Sequence, residues 1–360
     1  MAETTQLMSA AAARRPLFVG VDVGGTNIKI GVVCDEGRPV AYRSIATEEE
    51  RGPADAAKRI GEAVRGLVAQ AGLEEGAVAR VGLATPGPMD LPAGMLLGPG
   101  NPPHWHNTPI RQLVSDACGM PVTYANDANA AAYGEFWAGA AREYPSMVMF
   151  TMGTGIGGGI IVDEMLIEGK HGCGGELGHI IIDSAPDAPL NSLGIRGTLE
   201  GYCGAYALVR RAEEALNRTD STLKKRLAAG EELTPKLIAE EAEAGDGLSL
   251  ELIMETARYM AIGVVSACHT IDPESVVIGG AMTFGGDGHP LGERFMARLR
   301  EEARQRMLSP LPDKIHIDFA KLGGDAGYIG AAGLARREYW AARTSPGIVR
   351  TENAQMTNDE

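Results

Sequence analysis

At 360 residues the chain exceeds one ordinary hydrophobic core, and two lobes are the natural expectation. A hydrophobic fraction of 44% with 22% charged residues excludes an intrinsically disordered chain. The formal net charge of −14 argues against nucleic acid as a main partner, because phosphate backbones are held by clustered Lys and Arg.

Residues 1–16 read as a flexible N-terminus. Their alanine run is followed, not preceded, by Arg14 and Arg15, the wrong order for a secretory signal. No window reaches the roughly 18 uninterrupted apolar residues of a membrane span, so no membrane partner and a cytoplasmic location are expected. The five cysteines (Cys34, Cys118, Cys173, Cys203, Cys268) are odd in number and form no CxxC pair, which speaks against a disulfide framework.

Leu17–Val23 and Ile28–Val33 predict a hairpin of two strands around Gly24–Gly25. Apolar residues at helical spacing predict a helix over 53–71, ended by Gly72. Val78–Leu83 is a buried-type strand running into the turn Thr85-Pro86-Gly87-Pro88. Pro121–Ala125 is a further strand, and Asn126–Gly139 an alanine-rich helix. Met147–Met152 and Gly158–Val162 repeat the first scheme of strand, Gly/Thr-rich turn and strand. Beyond Glu200 the chain is mainly helical, over Ala205–Asn217, Leu233–Glu243 and Gly247–Asp272. Two short strands follow, Val276–Ile278 and Ile315–Phe319, and residues 344–360 read as a flexible polar tail. Strands alternating with helices make the class α/β, and two matched hairpins suggest two related lobes facing one cleft.

Asp22-Val23-Gly24-Gly25-Thr26-Asn27 puts a carboxylate at a strand end, then two glycines and a hydroxyl. Such a turn lets backbone N–H groups approach phosphate oxygens, with Thr26 and Asn27 as donors and Asp22 holding Mg²⁺ directly or through water. An ordinary hairpin turn is the competing reading. Gly153, Thr154 and Gly155 open a second such loop, Gly153–Gly159, in the other hairpin. GTGIGG superficially fits a dinucleotide fingerprint, but it lies between two strands and not between a strand and a helix. Gly279–Gly280 and Gly323–Gly324 are further glycine pairs able to border a nucleoside.

Asn126 and Asp127 open a helix, where either serves as an ordinary N-cap. If one caps, the other is free, and the helix N-terminus is expected to hold the Asp127 pKa down. An Asp so placed can take a proton from a hydroxyl attacking phosphorus. Glu176 and His179, with Glu200 further on, supply groups suited to the vicinal hydroxyls of a hexose, although each alone is commonly structural or solvated.

Taken together, DVGGTNIKIG, NPPHW at Asn101–Trp105, ANDANAAAYGE at Ala125–Glu135, GTGIGGGI and GGELGH resemble the ROK family (repressors, uncharacterised frames and kinases). The likeness runs from about Leu17 to Arg336. It implies a two-lobed actin-like ATPase (ribonuclease H-like) fold with a ligand cleft between the lobes. The expected small lobe is 17–125 plus 328–343 and the large lobe 126–327. The resemblance implies ATP-dependent phosphorylation of a hexose, glucose first, with Asp127 as base. It implies that Asn126, Glu176, His179 and Glu200 bind sugar hydroxyls, with Asn101 beside the sugar. Asp22, Gly25, Thr26, Gly153 and Thr154 would surround the phosphates and Mg²⁺, and Gly279, Gly280 and Gly324 would border ATP. Kinases of N-acetylmannosamine, N-acetylglucosamine or fructose carry nearly the same residues, and polyphosphate is an alternative donor. A homodimer or homotetramer, and closure of the lobes on sugar, are further expectations.

One family feature is broken. Most members bind a structural zinc through the histidine matching His179 and three cysteines, and Asn191, Leu193 and Thr198 stand at the cysteine positions. Asn and Thr are poor zinc ligands and Leu is none, so zinc is expected to be absent and the loop to be held by apolar packing around Leu193, Ile195 and Leu199. A replacement site from His171, Cys173, His179 and Cys203 is the alternative. A sugar-responsive repressor is the rival within the family, but only about 16 residues precede the first strand, too few for a three-helix DNA-binding module. A non-catalytic sugar sensor is the other rival, opposed by retention of Asp127 and both loops.

Overall fold

The computed structural model describes residues 6–74, 76–98 and 104–344; Asn101 and the tail beyond 344 lie outside them. The first sheet is built on β1 (Leu17–Val23), which pairs antiparallel with β2 (Asn27–Val33), itself antiparallel to β3 (Pro39–Ala46). On its other side β1 runs parallel to β4 (Val78–Thr85), and β4 to β7 (Val122–Asn126). A small ribbon, β5 (Met89–Asp90) with β6 (Met95–Leu96), lies between them in sequence. Every residue of β1 is buried except Asp22, which is half-buried, as befits a central strand covered on both faces.

The second sheet repeats this plan. β8 (Met147–Met152) is antiparallel to β9 (Ile156–Val162), which pairs with β10 (Met165–Leu166). β8 runs parallel to β11 (Ser275–Gly279), and β11 to β12 (His316–Phe319). The orders β3-β2-β1-β4-β7 and β10-β9-β8-β11-β12 correspond strand for strand, as the repeated hairpin pattern led one to expect.

α1 (Pro53–Gln70) and α2 (Ile110–Cys118) cover one face of the first sheet, with Ile60, Val64, Leu67, Ile110 and Val114 in its core. Against the second sheet pack α4 (Leu199–Cys203), α5 (Ala205–Leu216), α6 (Leu223–Ala228), α7 (Pro235–Glu243), α8 (Gly247–Ile271) and α9 (Pro290–Arg304). α8 buries Leu252, Met260, Val264 and Cys268 and is capped by Asp246, whose carboxylate accepts the Ser249 N–H at 2.8 Å.

α3 (Asp127–Ala138) and α10 (Ala326–Thr344) pack on each other between the sheets. Their backbones nearly touch: a Cβ on Gly330 would lie 1.6 Å from the Ala130 carbonyl oxygen, so only glycine allows this approach. α3 faces β9 while α10 faces β1 and β4, so the pair joins the two halves. Ahead of β1, the Met8 N–H donates to Pro39 O at 2.9 Å, so the segment expected to be flexible touches β3 within residues 6–16. No helix among the described residues is long and apolar enough to cross a membrane.

Candidate active site

The β1–β2 turn is closed by the Gly24 N–H donating to Asn27 O at 3.0 Å, and Thr47 Oγ donates to Gly24 O at 2.6 Å. This ties the turn to the end of β3 and leaves Thr26 and Asn27 exposed. Lys29, opposite Asp22 in the hairpin register, reaches across to donate to Gly324 O at 2.6 Å. The first loop and Gly324 therefore share one side of the molecule.

The second loop is shorter than its glycines suggest. β9 begins at Ile156, so Gly157, Gly158 and Gly159 belong to a strand, where α3 and Leu177 press too closely for side chains. Only Gly153, Thr154 and Gly155 form the turn, with Thr154 exposed. The Gly153 and Thr154 carbonyls both accept the Ala205 N–H, at 3.0 and 3.2 Å, which anchors the turn to the start of α5. Gly280, at φ 95°, abuts the end of β8, where Met152 O accepts the Met282 N–H at 3.0 Å. Gly279 ends β11 beside it.

Asn126 caps α3: its Oδ1 accepts the Ala128 and Asn129 N–H groups at 2.9 and 3.1 Å. Asp127 Oδ1 also accepts from Ala128, at 2.8 Å, and the carboxylate is held further by its own backbone N–H. The Asp127 pKa is raised, not lowered as the helix position alone predicts. Burial is the largest cause and outweighs the Ala128 N–H, and the Glu176 charge adds to it.

Asp22 behaves similarly. Burial, then the charge of Asp127, push its carboxyl up to about 7, against the opposing pull of Lys29. Its carboxylate lies against the first turn of α10, where a Cβ on Gly327 would come 2.3 Å from Oδ2. Asp22, Asp127 and Glu176 thus form one electrostatic group drawn from both halves of the chain.

Glu176 is exposed and lies 3.7 Å from His179 Nε2 through its Oε2. Glu200 is buried and largely committed. Its Oε1 accepts from Ser192 Oγ at 2.6 Å, Ser192 N–H at 3.3 Å and Tyr206 OH at 3.2 Å, and its Oε2 from Ile156 N–H at 3.2 Å. A carboxylate offers about four lone-pair sites, so little of Glu200 is free for a sugar.

The segment around Asn191 does not fit zinc. Asn191 Oδ1 is taken by the Leu193 and Ile195 N–H groups at 3.0 and 2.8 Å, and Thr198 Oγ caps α4 by accepting the Gly201 N–H at 3.2 Å. Leu193 is 70% exposed and Ile195 43% exposed, so polar bonds from Asn191, Ser192 and Thr198 hold this loop, not the expected apolar packing. Leu199 alone of that trio is buried. The alternative site does not assemble either. Cys203 is buried with its Sγ toward Thr256 O, Cys173 Sγ faces His171 O, and no group of three or more His, Cys, Asp or Glu among the described residues could hold a metal.

Three residues at the site make contacts that sequence reasoning does not assign to them. Lys29 is marked only by its register opposite Asp22. Glu135, fully buried on α3, accepts the Lys321 and Leu322 N–H groups at 3.1 and 2.7 Å and so fixes the segment before Gly324. Asn191, whose amide donates to His179 Nδ1 at 2.9 Å, looks in the sequence like a mere loss of cysteine.

Two matched sheets, a helix pair between them and glycine turns at both hairpins define the two-lobed actin-like ATPase fold. The chain belongs to the ROK family, whose profile matches residues 18–338. It is similar to a glucokinase of Thermotoga maritima, 32% identical over 320 residues, which cover 89% of this chain and 97% of that one. Among solved structures it is similar to a ROK hexokinase from Thermus thermophilus, at 33% identity and a TM-score of 0.75, covering 90% of this chain and 99% of that chain. It is also similar to a ROK family glucokinase from Streptomyces griseus in complex with glucose and AMPPNP, at 33% identity and a TM-score of 0.70, covering 89% and 99%.

Proposed function

We propose that this protein transfers the terminal phosphoryl group of ATP to a hydroxyl of a hexose, with glucose to glucose 6-phosphate the leading reaction. The observation that carries this reading is Asp127, a carboxylate at the start of α3 with its pKa raised by burial and Glu176. A carboxylate whose pKa is raised is a stronger proton acceptor once ionised than an ordinary one. The two glycine turns, with Thr26 and Thr154 exposed, supply donors for phosphate oxygens, and Gly279, Gly280 and Gly324 border the nucleotide.

In the reaction the sugar oxygen forms a bond to the terminal phosphorus while the bridging bond to ADP breaks, and the hydroxyl proton passes to Asp127. Asp22 suits a hard divalent cation, since it offers oxygen donors in a pocket of surplus negative charge. Mg²⁺ held there would supply neutralisation of phosphate charge. Asn126, whose Oδ1 is taken by its cap bonds, would offer its Nδ2 to the sugar beside Asp127, and Glu176 and His179 would take further hydroxyls. Glu200 acts mainly through the loops it ties together. Asn101 lies outside the described residues and remains a proposed neighbour of the sugar.

The test is a coupled ADP-release assay over glucose, fructose, N-acetylmannosamine and N-acetylglucosamine, repeated with polyphosphate as donor. Asp127→Asn is expected to lower kcat by about 10²–10⁴-fold while sugar affinity is retained. Undiminished turnover in that variant would refute the assigned base. Saturable sugar binding without ADP release in the native protein would make it a sensor.

A further inference from the structure

We infer that Asn191 is a positioning residue that locks His179 into one tautomer, with its proton on Nε2, and so makes it a hydrogen-bond donor on the side of Glu176. Asn191 Nδ2 lies 2.9 Å from His179 Nδ1. The amide orientation is fixed from its other end, because Oδ1 accepts two backbone N–H groups, from Leu193 at 3.0 Å and Ile195 at 2.8 Å. Turning the amide over would set its NH₂ against both donors. The group facing Nδ1 can therefore only donate, and the neutral imidazole must accept there and carry its hydrogen on Nε2.

The Asn191 side chain has no freedom to drift. The residue is only 6% exposed. Its own N–H donates to Ile195 O at 2.8 Å, and its carbonyl accepts the Gly194 N–H at 3.0 Å. Ser192, next in the chain, is bound to Glu200 through both its hydroxyl and its N–H. A carboxamide inside a closed turn thus orients the histidine at a position where the donor set does not fit a metal.

Nε2 is 3.7 Å from Glu176 Oε2, beyond hydrogen-bond length, and the His179 side chain is 27% exposed. A hydroxyl seated against both groups would accept from Nε2–H and donate to the carboxylate. The pair then recognises a hydroxyl by both of its hydrogen-bonding roles. This last step rests on the proposed sugar site; the tautomer does not.

The experiment uses the full chain with ¹⁵N-labelled histidine, free of sugar, and long-range ¹H–¹⁵N correlation of the imidazoles. The His179 signals are assigned by their loss in His179→Gln. The native protein should show hydrogen on Nε2 and a bare Nδ1. Asn191→Asp keeps the shape and both acceptor bonds to Leu193 and Ile195, but presents an oxygen to His179, and should place a proton on Nδ1. In the same variant the glucose KM should rise about tenfold or more while the ATP KM changes little.

Hydrogen on Nδ1 in the native protein, or an Nδ1 that stays bare in Asn191→Asp, overturns the inference whatever the activity. A hydrogen on Nδ1 with a bare Nε2 in the variant, together with an unchanged glucose KM, overturns the positioning role toward sugar. Failure of the kinase reading would show differently, as absence of ADP release from the native chain with every hexose.

Discussion

Glu200 accepts the Ile156 N–H across 3.2 Å, and so joins the residue after the second glycine turn to the side chain that also holds Ser192. One carboxylate links the turn proposed to hold phosphates to the loop that carries Asn191. Glu200→Gln keeps a single acceptor oxygen and sets an NH₂ against donors. Its expected effect is a rise of about tenfold in KM for nucleotide and sugar together. Steady-state kinetics varying each substrate in turn check this, since a side chain serving only as a sugar ligand would raise the sugar KM alone.

Asp127 accepts a proton only when ionised, and burial with the Glu176 charge raises its pKa. The acidic limb of kcat/KM should therefore rise with pH through this elevated value. Glu176→Gln removes a neighbouring negative charge, lets Asp127 ionise earlier and should move the limb to lower pH. A pH–rate profile of both proteins at saturating nucleotide measures the displacement. A limb that stays in place would show that another group sets it.

Asp22 gives a stability prediction of definite sign. Its folded pKa of about 7 stands above the ordinary carboxyl value of 3.8, so the folded state holds this proton more tightly than the unfolded chain. That contribution is fully present below the unfolded pKa and is lost as pH rises through about 7. Above that range the ionised carboxylate opposes folding. Asp22→Asn should therefore stabilise the ligand-free protein more at about pH 8 than at about pH 5, by a difference of about 1–3 kcal/mol. Thermal unfolding at the two pH values, without nucleotide or Mg²⁺, is the measurement. An equal Tm shift at both would contradict the assignment of the burden to the charged form.

Much of the fold was legible because its signals are local. Each hairpin announces itself as two apolar runs around a Gly/Thr turn, and Asn126–Asp127 before an alanine-rich stretch reads directly as the start of α3. Other elements lack that contrast. β3 opens with Pro39 and carries Arg43 and Ser44 at an edge, so its alternation is blurred. The first ten residues of α10 are all buried, which erases the polar face that a helical period needs. α9 is amphipathic, with Leu291, Phe295, Met296 and Leu299 buried, and could have been read.

The site divides in the same way. The glycine turns and the Asp22 and Asp127 carboxylates follow from sequence, but their environment does not. Local reasoning at Asp127 saw only the helix N-terminus, whereas the deciding influences are burial and Glu176, on a different segment. For Glu200, residue type suggested a sugar ligand, and only tertiary structure shows how far Ser192, Tyr206 and Ile156 occupy it.

Asn191, Ser192 and Thr198 hold the loop beside Glu200 with amide and hydroxyl groups, and no cysteine occurs between 174 and 202. The thiol next along the chain, Cys203, is sealed in the core, where burial pushes its pKa far up and keeps it unreactive. A loop fastened by amides and hydroxyls has no thiolate of its own for zinc to bind or peroxide to oxidise. Its fold is therefore expected to be the same in metal-starved and in oxidised protein.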